Sequence, residues 1–127
     1  AAPKARRIEP VTVVLAEDAE ERFLLQQRPE KGLLAGLWQP LLWEGEALSA
    51  EEVCVRLEAL GLACESIEPL PAAKHIFSHI EWRMSGYSVC VGSAEAPAGC
   101  VWTSREQLQN EYTLPGAFKA YKKKLGL

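Results

Sequence analysis

No apolar run in the 127-residue chain reaches the roughly 18 to 20 residues that cross a bilayer as a helix. The first thirty residues mix acidic and basic groups where a secretory leader would carry an apolar segment, so a soluble chain with no membrane partner is expected. Excess positive charge is also lacking. Lys and Arg number 14 against 17 Asp and Glu, and the net charge of −3 argues against a stand-alone nucleic-acid binder. Cysteine is sparse and unpaired by motif: Cys54, Cys64, Cys90 and Cys100 form no C-x-x-C, and with only two histidines they make no tight ligand cluster. Buried or half-buried reduced thiols and an intracellular compartment are therefore expected, with no zinc or iron–sulfur site in the chain. Internal repeats and low-complexity segments are absent.

What is present is ordinary globular composition, 48% hydrophobic and 24% charged. A chain of this size buries roughly two thirds of its unfolded surface and folds without a metal or disulfide. Charge is divided unevenly. Residues 1–70 carry 7 bases and 13 acids, and residues 71–127 carry 7 bases and 4 acids, so the second half can face phosphates that the first would repel.

Residues 1–7, polar and holding Pro3, read as a linker remnant; residues 8–127 read as one domain. Ile8 to Ala16 and Arg22 to Arg28 predict strands joined as a hairpin across the acidic turn Glu17 to Glu21. Pro29 to Gly36 predicts a loop, and Leu37 to Trp43 a strand whose Pro40 implies a bulge or an edge. Ser49 and Glu52 have capping-box spacing, and Val53, Leu57 and Leu60 share one helical face before Gly61 ends the helix. Cys64 to Leu70, Trp82 to Val91 and Cys100 to Thr103 predict further strands, the prolines at 69 and 71 ending the first of them. A helix capped by Ser104 and another from about Thr113 to Lys124 close the chain. This order predicts an α/β or α+β sandwich, a mixed sheet with a central helix and short C-terminal helices.

Five segments occur in a telling order: Leu24-Leu25-Gln26-Gln27-Arg28-Pro29; Gly32-Leu33-Leu34-Ala35-Gly36-Leu37-Trp38; a helix ending in Gly61; His75-Ile76-Phe77-Ser78-His79; and Leu114-Pro115-Gly116-Ala117-Phe118. Together, across about residues 8 to 125, they resemble the C-terminal domain of MutY-type adenine DNA glycosylases. The resemblance implies a Nudix (MutT-like) fold that recognises 8-oxoguanine mispaired with adenine in duplex DNA. A separate N-terminal domain, carrying an iron–sulfur cluster, would excise the adenine in base excision repair. This domain would itself be non-catalytic and hold no cofactor.

A hydrolytic Nudix domain follows G-x5-E-x7-R-E-U-x-E-E-x-G-U, its glutamates holding divalent cations on a diphosphate. With Gly61-Leu62 as the final pair, Glu58 alone remains of the three helical glutamates. Cys54 stands at the arginine and Pro40 at the leading glycine, while Glu46 matches the isolated glutamate. One helical carboxylate does not build that ligand set, and Glu46 and Glu58 are expected to be solvated.

Phe77, Ser78 and His79 are the candidate lesion-binding residues, with His75 and Arg28 as further DNA-contact candidates. Oxidation of guanine replaces the N7 acceptor by an N7–H donor and adds an O8 acceptor, and a serine hydroxyl both donates and accepts. By the resemblance Ser78 would read the lesion edge, and the rings of Phe77 and His79 would pack on the backbone and bond a phosphate. Arg28 reads as a phosphate clamp or a surface strand end, Lys122 to Lys124 as a phosphate contact or a solvated helix end, and the four tryptophans as core. Two other functions stay open: a free-standing Nudix pyrophosphohydrolase of oxidised nucleotides, and a protein-interaction module without a small ligand.

Overall fold

A computed structural model describes residues 5–127. Six strands form one mixed sheet: β1 (Arg7–Glu17), β2 (Phe23–Gln27), β3 (Trp38–Glu44), β4 (Cys64–Ile76), β5 (Ile80–Val91) and β6 (Cys100–Thr103), in the order β4-β5-β1-β3-β2-β6. β1 lies inside, parallel to β5 from Arg7↔Ile80 to Glu17↔Cys90 and antiparallel to β3. Covered on both faces, it buries every residue from Val11 to Ala16.

Alternation along β1 feeds two cores. Val11, Val13 and Leu15 join Trp82 and Met84 against the C-terminal segment, including Leu114, Phe118 and Tyr121. Val14 and Ala16 join Val89 and Val91 against helix α1 (Ala50–Ala59), which contributes Val53 and Leu57. The sheet is thus sandwiched between α1 and the chain end, and the expected mixed-sheet fold is the one observed. The capping box at Ser49 forms in full, and Gly61 ends the helix at φ 83°. Leu60, however, is 40% exposed, because the chain turns away from the sheet before its position reaches the core.

Several local expectations change. β1 and β2 share only the pair Glu17↔Phe23; β3 inserts between them, so the expected hairpin is a turn whose strands diverge. Asp18 fixes that turn by accepting from the backbone N–H groups of Glu20 and Arg22. Pro40 sits in no bulge and on an inner strand, but it has a ladder partner on one side alone, as an edge residue does. β3 changes partner there, pairing with β2 up to Pro40 and with β1 from Leu41. β4 runs through Pro69 and Pro71 to Ile76, because an edge strand tolerates missing donors and a register shift between Leu70 and Ala73 absorbs the second proline. At the C-terminus α2 (Arg105–Asn110) follows its Ser104 capping box, but the expected last helix is a short 3-10 segment, Gly116–Tyr121. Phe118 and Tyr121 pack there at a spacing of three.

Cys54 and Cys64 are joined in a disulfide rather than free, with Cα atoms 5.5 Å apart. The return of the chain at Gly61 brings them together, which no short cysteine motif reveals, and the thiol count no longer argues for a reducing compartment. Cys90 and Cys100 remain free. Of the expected linker, residues 1–4 lie outside the described residues, Ala5 and Arg6 are exposed, and Arg7 already opens β1. Among the described residues no helix is long and apolar enough to cross a membrane.

Candidate nucleic-acid interface

β4 and β5 are joined by the turn Phe77-Ser78-His79, closed by the Phe77 N–H donating to the Ile80 carbonyl at 2.7 Å. Ser78 and His79 are exposed, and their backbone N–H groups lie beyond the ladder. β1 holds the turn from the side: the Arg7 N–H donates to the His79 carbonyl at 3.0 Å.

Beneath the turn is an aromatic stack dictated by strand alternation. His75 and Phe77 share one face of β4, and His75 is paired with Trp82 of β5. Phe77 is edge-on to both, with centroids 4.7 Å from His75 and 5.1 Å from Trp82. Trp82 is fully buried and packs on Phe118, so the turn is tied to the core. His75, half-buried, supports Phe77 from the β4 side.

Arg28 is not a surface clamp. It is buried, with its guanidinium over the Trp82 ring at 5.5 Å from the centroid. Its Nε donates to the Leu33 carbonyl at 2.8 Å, Nη1 donates to Gln39 Oε1, and it forms an ion pair with Glu44. It therefore acts on the 29–36 loop. That loop turns through positive φ at Gly32, Leu34 and Gly36, and Leu33 reaches a hollow of about 460 Å³ otherwise walled by residues 76–80. Arg28 thus positions one wall of the hollow beside Ser78. Sequence reading missed Leu33 as that wall and Arg7 as the backbone anchor; the Pro29 to Gly36 turn composition was the available signal for the first.

The other candidates lie elsewhere. Lys123 and Lys124 rim a separate hollow between Leu70 to Ala72 and Tyr121, well down β4 from the turn. Among the tryptophans only Trp82 is fully core. Trp38, Trp43 and Trp102 are half-buried, the first edge-on to Tyr112, the others beneath Arg56 and Arg22.

A sequence profile of the NUDIX domain matches residues 12–124. The chain belongs to the Nudix family. This Nudix domain is 36% identical over 98 residues to the adenine DNA glycosylase of Mus musculus and 32% identical over 95 residues to that of Homo sapiens, each match covering 68% of the chain. Those matches cover 18% and 17% of the two relatives, so the chain spans less than a fifth of their length. The C-terminal domain of mouse MUTYH, solved in complex with human PCNA, superposes with a TM-score of 0.70 at 23% identity, over 91% of this chain and 88% of that one. A MutT protein from Methanosarcina mazei Go1 superposes with a TM-score of 0.69 at 15% identity, over 98% and 96%. Both superpositions show the shared fold.

Against that fold, the Nudix metal site does not fit these residues. Glu46 is held by Arg56 through two hydrogen bonds of 2.7 and 2.8 Å, which keep its carboxyl below the usual glutamate range. Glu46, its side chain 43% exposed, is solvated as expected but is also an ion-pair partner, and Glu58 is exposed as expected. Val55 and Ala59 stand where the pattern requires carboxylates, and Cys54 is in the disulfide. Among the described residues no three His, Cys, Asp or Glu side chains converge on a common point. Hard divalent cations need several oxygens at once, which these positions do not bring together.

Proposed function

We propose that this Nudix domain is the lesion-recognition domain of an adenine DNA glycosylase, reading 8-oxoguanine opposite adenine while another domain of the same protein excises the adenine. The observation that carries the reading is the Ser78 hydroxyl, exposed at the tip of a hairpin whose base is fixed in the core through Phe77 and Trp82. A small group that accepts from N7–H and donates to O8 distinguishes the lesion from guanine, which offers an N7 acceptor and no O8. The neighbouring backbone N–H groups would supply further donors, and the exposed His79 imidazole would meet a phosphate. The likeness to two adenine DNA glycosylases supports this reading over a nucleotide hydrolase, as does the poor fit of the metal-ligand positions.

The excision step, and the iron–sulfur cluster expected with it, would belong to the partner domain; this domain's part is to bind and orient. A second reading, a protein-docking role, is favoured by one observation, the complex of the mouse MUTYH domain with PCNA. Titration of the chain with matched 8-oxoguanine:adenine and guanine:adenine duplexes at one salt concentration tests the first reading. Tighter binding of the lesion duplex is expected, and equal affinities would refute it.

A further inference from the structure

Three cations gather round one covered carboxylate near the recognition turn. Glu81 has a side chain only 8% exposed. It accepts from Arg83 Nε at 2.9 Å and from Arg6 Nη2 at 3.4 Å. Lys74 pairs with Arg83 in the β4–β5 register and, on the same face, adds its field to Glu81. Arg83 is 62% exposed and Arg6 45%, so the negative group faces inward and the positive heads face solvent. A shallow hollow of about 360 Å³ opens beside Lys74 and Arg83, floored by Ala72, Ala73, Met84 and Ser85.

We propose that Arg6, Lys74 and Arg83 form a phosphate-binding site that seats the sugar–phosphate backbone of a DNA duplex beside the Ser78 turn. The site rests on the lesion-recognition reading for its ligand, but its own observation is independent of Ser78. Three like charges at one place repel unless a counter-charge holds them, and Glu81 supplies that from below while leaving a surplus of positive charge outward. The Lys74–Arg83 pair lies three residue pairs from the turn, about 10 Å along the strands. That separation matches roughly three phosphates of axial rise on one strand, so the nucleotides flanking the one read by the turn come within reach. The acid-rich first half of the chain makes the location selective: α1 carries Glu51 and Glu52 in its first turn, and a polyanion is steered away from them toward the cations of the hairpin. The one large apolar residue lining the hollow, Met84, is only 2% exposed and gives a peptide anchor little to seat on, which favours phosphates over an acidic peptide.

The test is the salt dependence of binding to the lesion and undamaged duplexes by the native chain, Lys74→Gln, Lys74→Gln with Arg83→Gln, and Arg105→Gln. Arg105, in α2 next to β6 at the opposite edge of the sheet, is the charge-matched control. The slope of log affinity against log salt should fall by about 0.9 for each phosphate that is no longer neutralised. The expected fall is therefore close to one unit for Lys74→Gln and close to two for the double variant, equally on both duplexes, with no change in Arg105→Gln. Lys74→Gln alters an exposed side chain and keeps the Glu81–Arg83 pair, so it remains informative if the double variant melts early. Unchanged slopes with preserved lesion preference overturn this site and leave the Ser78 reading standing. Reduced slopes with no lesion preference in the native chain support this site and remove the other. Unchanged slopes on DNA together with weakened binding of poly-glutamate would mean that the cluster takes an acidic peptide, and would overturn the proposal.

Discussion

Phe77 meets Trp82 edge to face at 5.1 Å, and through that contact the turn carrying exposed Ser78 and His79 is anchored to a ring with no solvent exposure. The relationship makes Phe77 a support of the turn. Phe77→Ala should cost about 1 to 3 kcal/mol in urea unfolding, below the loss for a fully buried Phe because Phe77 is half-buried. The same variant should lower lesion-duplex affinity beyond what its residual folding explains. Phe77→Leu, keeping apolar volume, should lose less of both.

Arg28 should behave as a buried loop fastener. Arg28→Met leaves the Leu33 carbonyl and Gln39 without their donor and Glu44 without its counter-charge. A loss of about 2 to 4 kcal/mol is expected, measured by denaturant unfolding, with faster proteolysis within 29–36. Arg28→Lys should rescue little, since an ammonium cannot serve a carbonyl, an amide and a carboxylate in a forked geometry. A wild-type melt with weakened DNA binding would restore the phosphate-clamp role.

The parts of this molecule legible in the sequence were those governed by local rules. The Ser49 capping box, the Ser104 cap, the Gly61 stop and the strand from Ile8 to Ala16 each follow from a few adjacent residues. The insertion of β3 between β1 and β2, the Cys54–Cys64 bridge and the burial of Arg28 depend on partners distant in the chain, and local pattern carries no record of them. At the site, Ser78 and His79 are exposed as a turn motif implies, and the order of motifs drew attention to them. The cluster round Glu81 went unseen because Arg6, Lys74 and Arg83 are scattered singly through the sequence and meet only when β1, β4 and β5 assemble.

The Arg56–Glu46 pair should give stability an acid limb. Because Arg56 lowers the Glu46 pKa in the folded chain, its contribution is fully present above the ordinary value near 4.5 and is lost as pH falls through the lowered one. Melting temperatures of the native chain and Glu46→Gln should therefore differ at neutral pH and converge in acid. A constant difference at every pH would separate Glu46 from this linkage.

Hydrolysis should be absent. With Mg²⁺ or Mn²⁺ the chain should release no phosphate or pyrophosphate from 8-oxo-dGTP, since Glu58 lacks the neighbouring carboxylates and Glu46 is engaged by Arg56. Metal-dependent turnover that disappears in Glu58→Gln would establish the pyrophosphohydrolase reading instead.

The most direct measurement is the ratio of affinities for 8-oxoguanine:adenine and guanine:adenine duplexes in the native chain and Ser78→Ala, at one salt concentration and with a thermal melt as folding control. The hydroxyl stands exposed at the hairpin tip, so its removal should leave the melt nearly unchanged. If it reads the N7–H and O8 edge, the preference for the lesion should shrink by about 1 to 3 kcal/mol, with the loss falling on the lesion duplex and binding to the undamaged one almost constant. An unchanged ratio, or equal losses on both duplexes, would contradict lesion reading by Ser78.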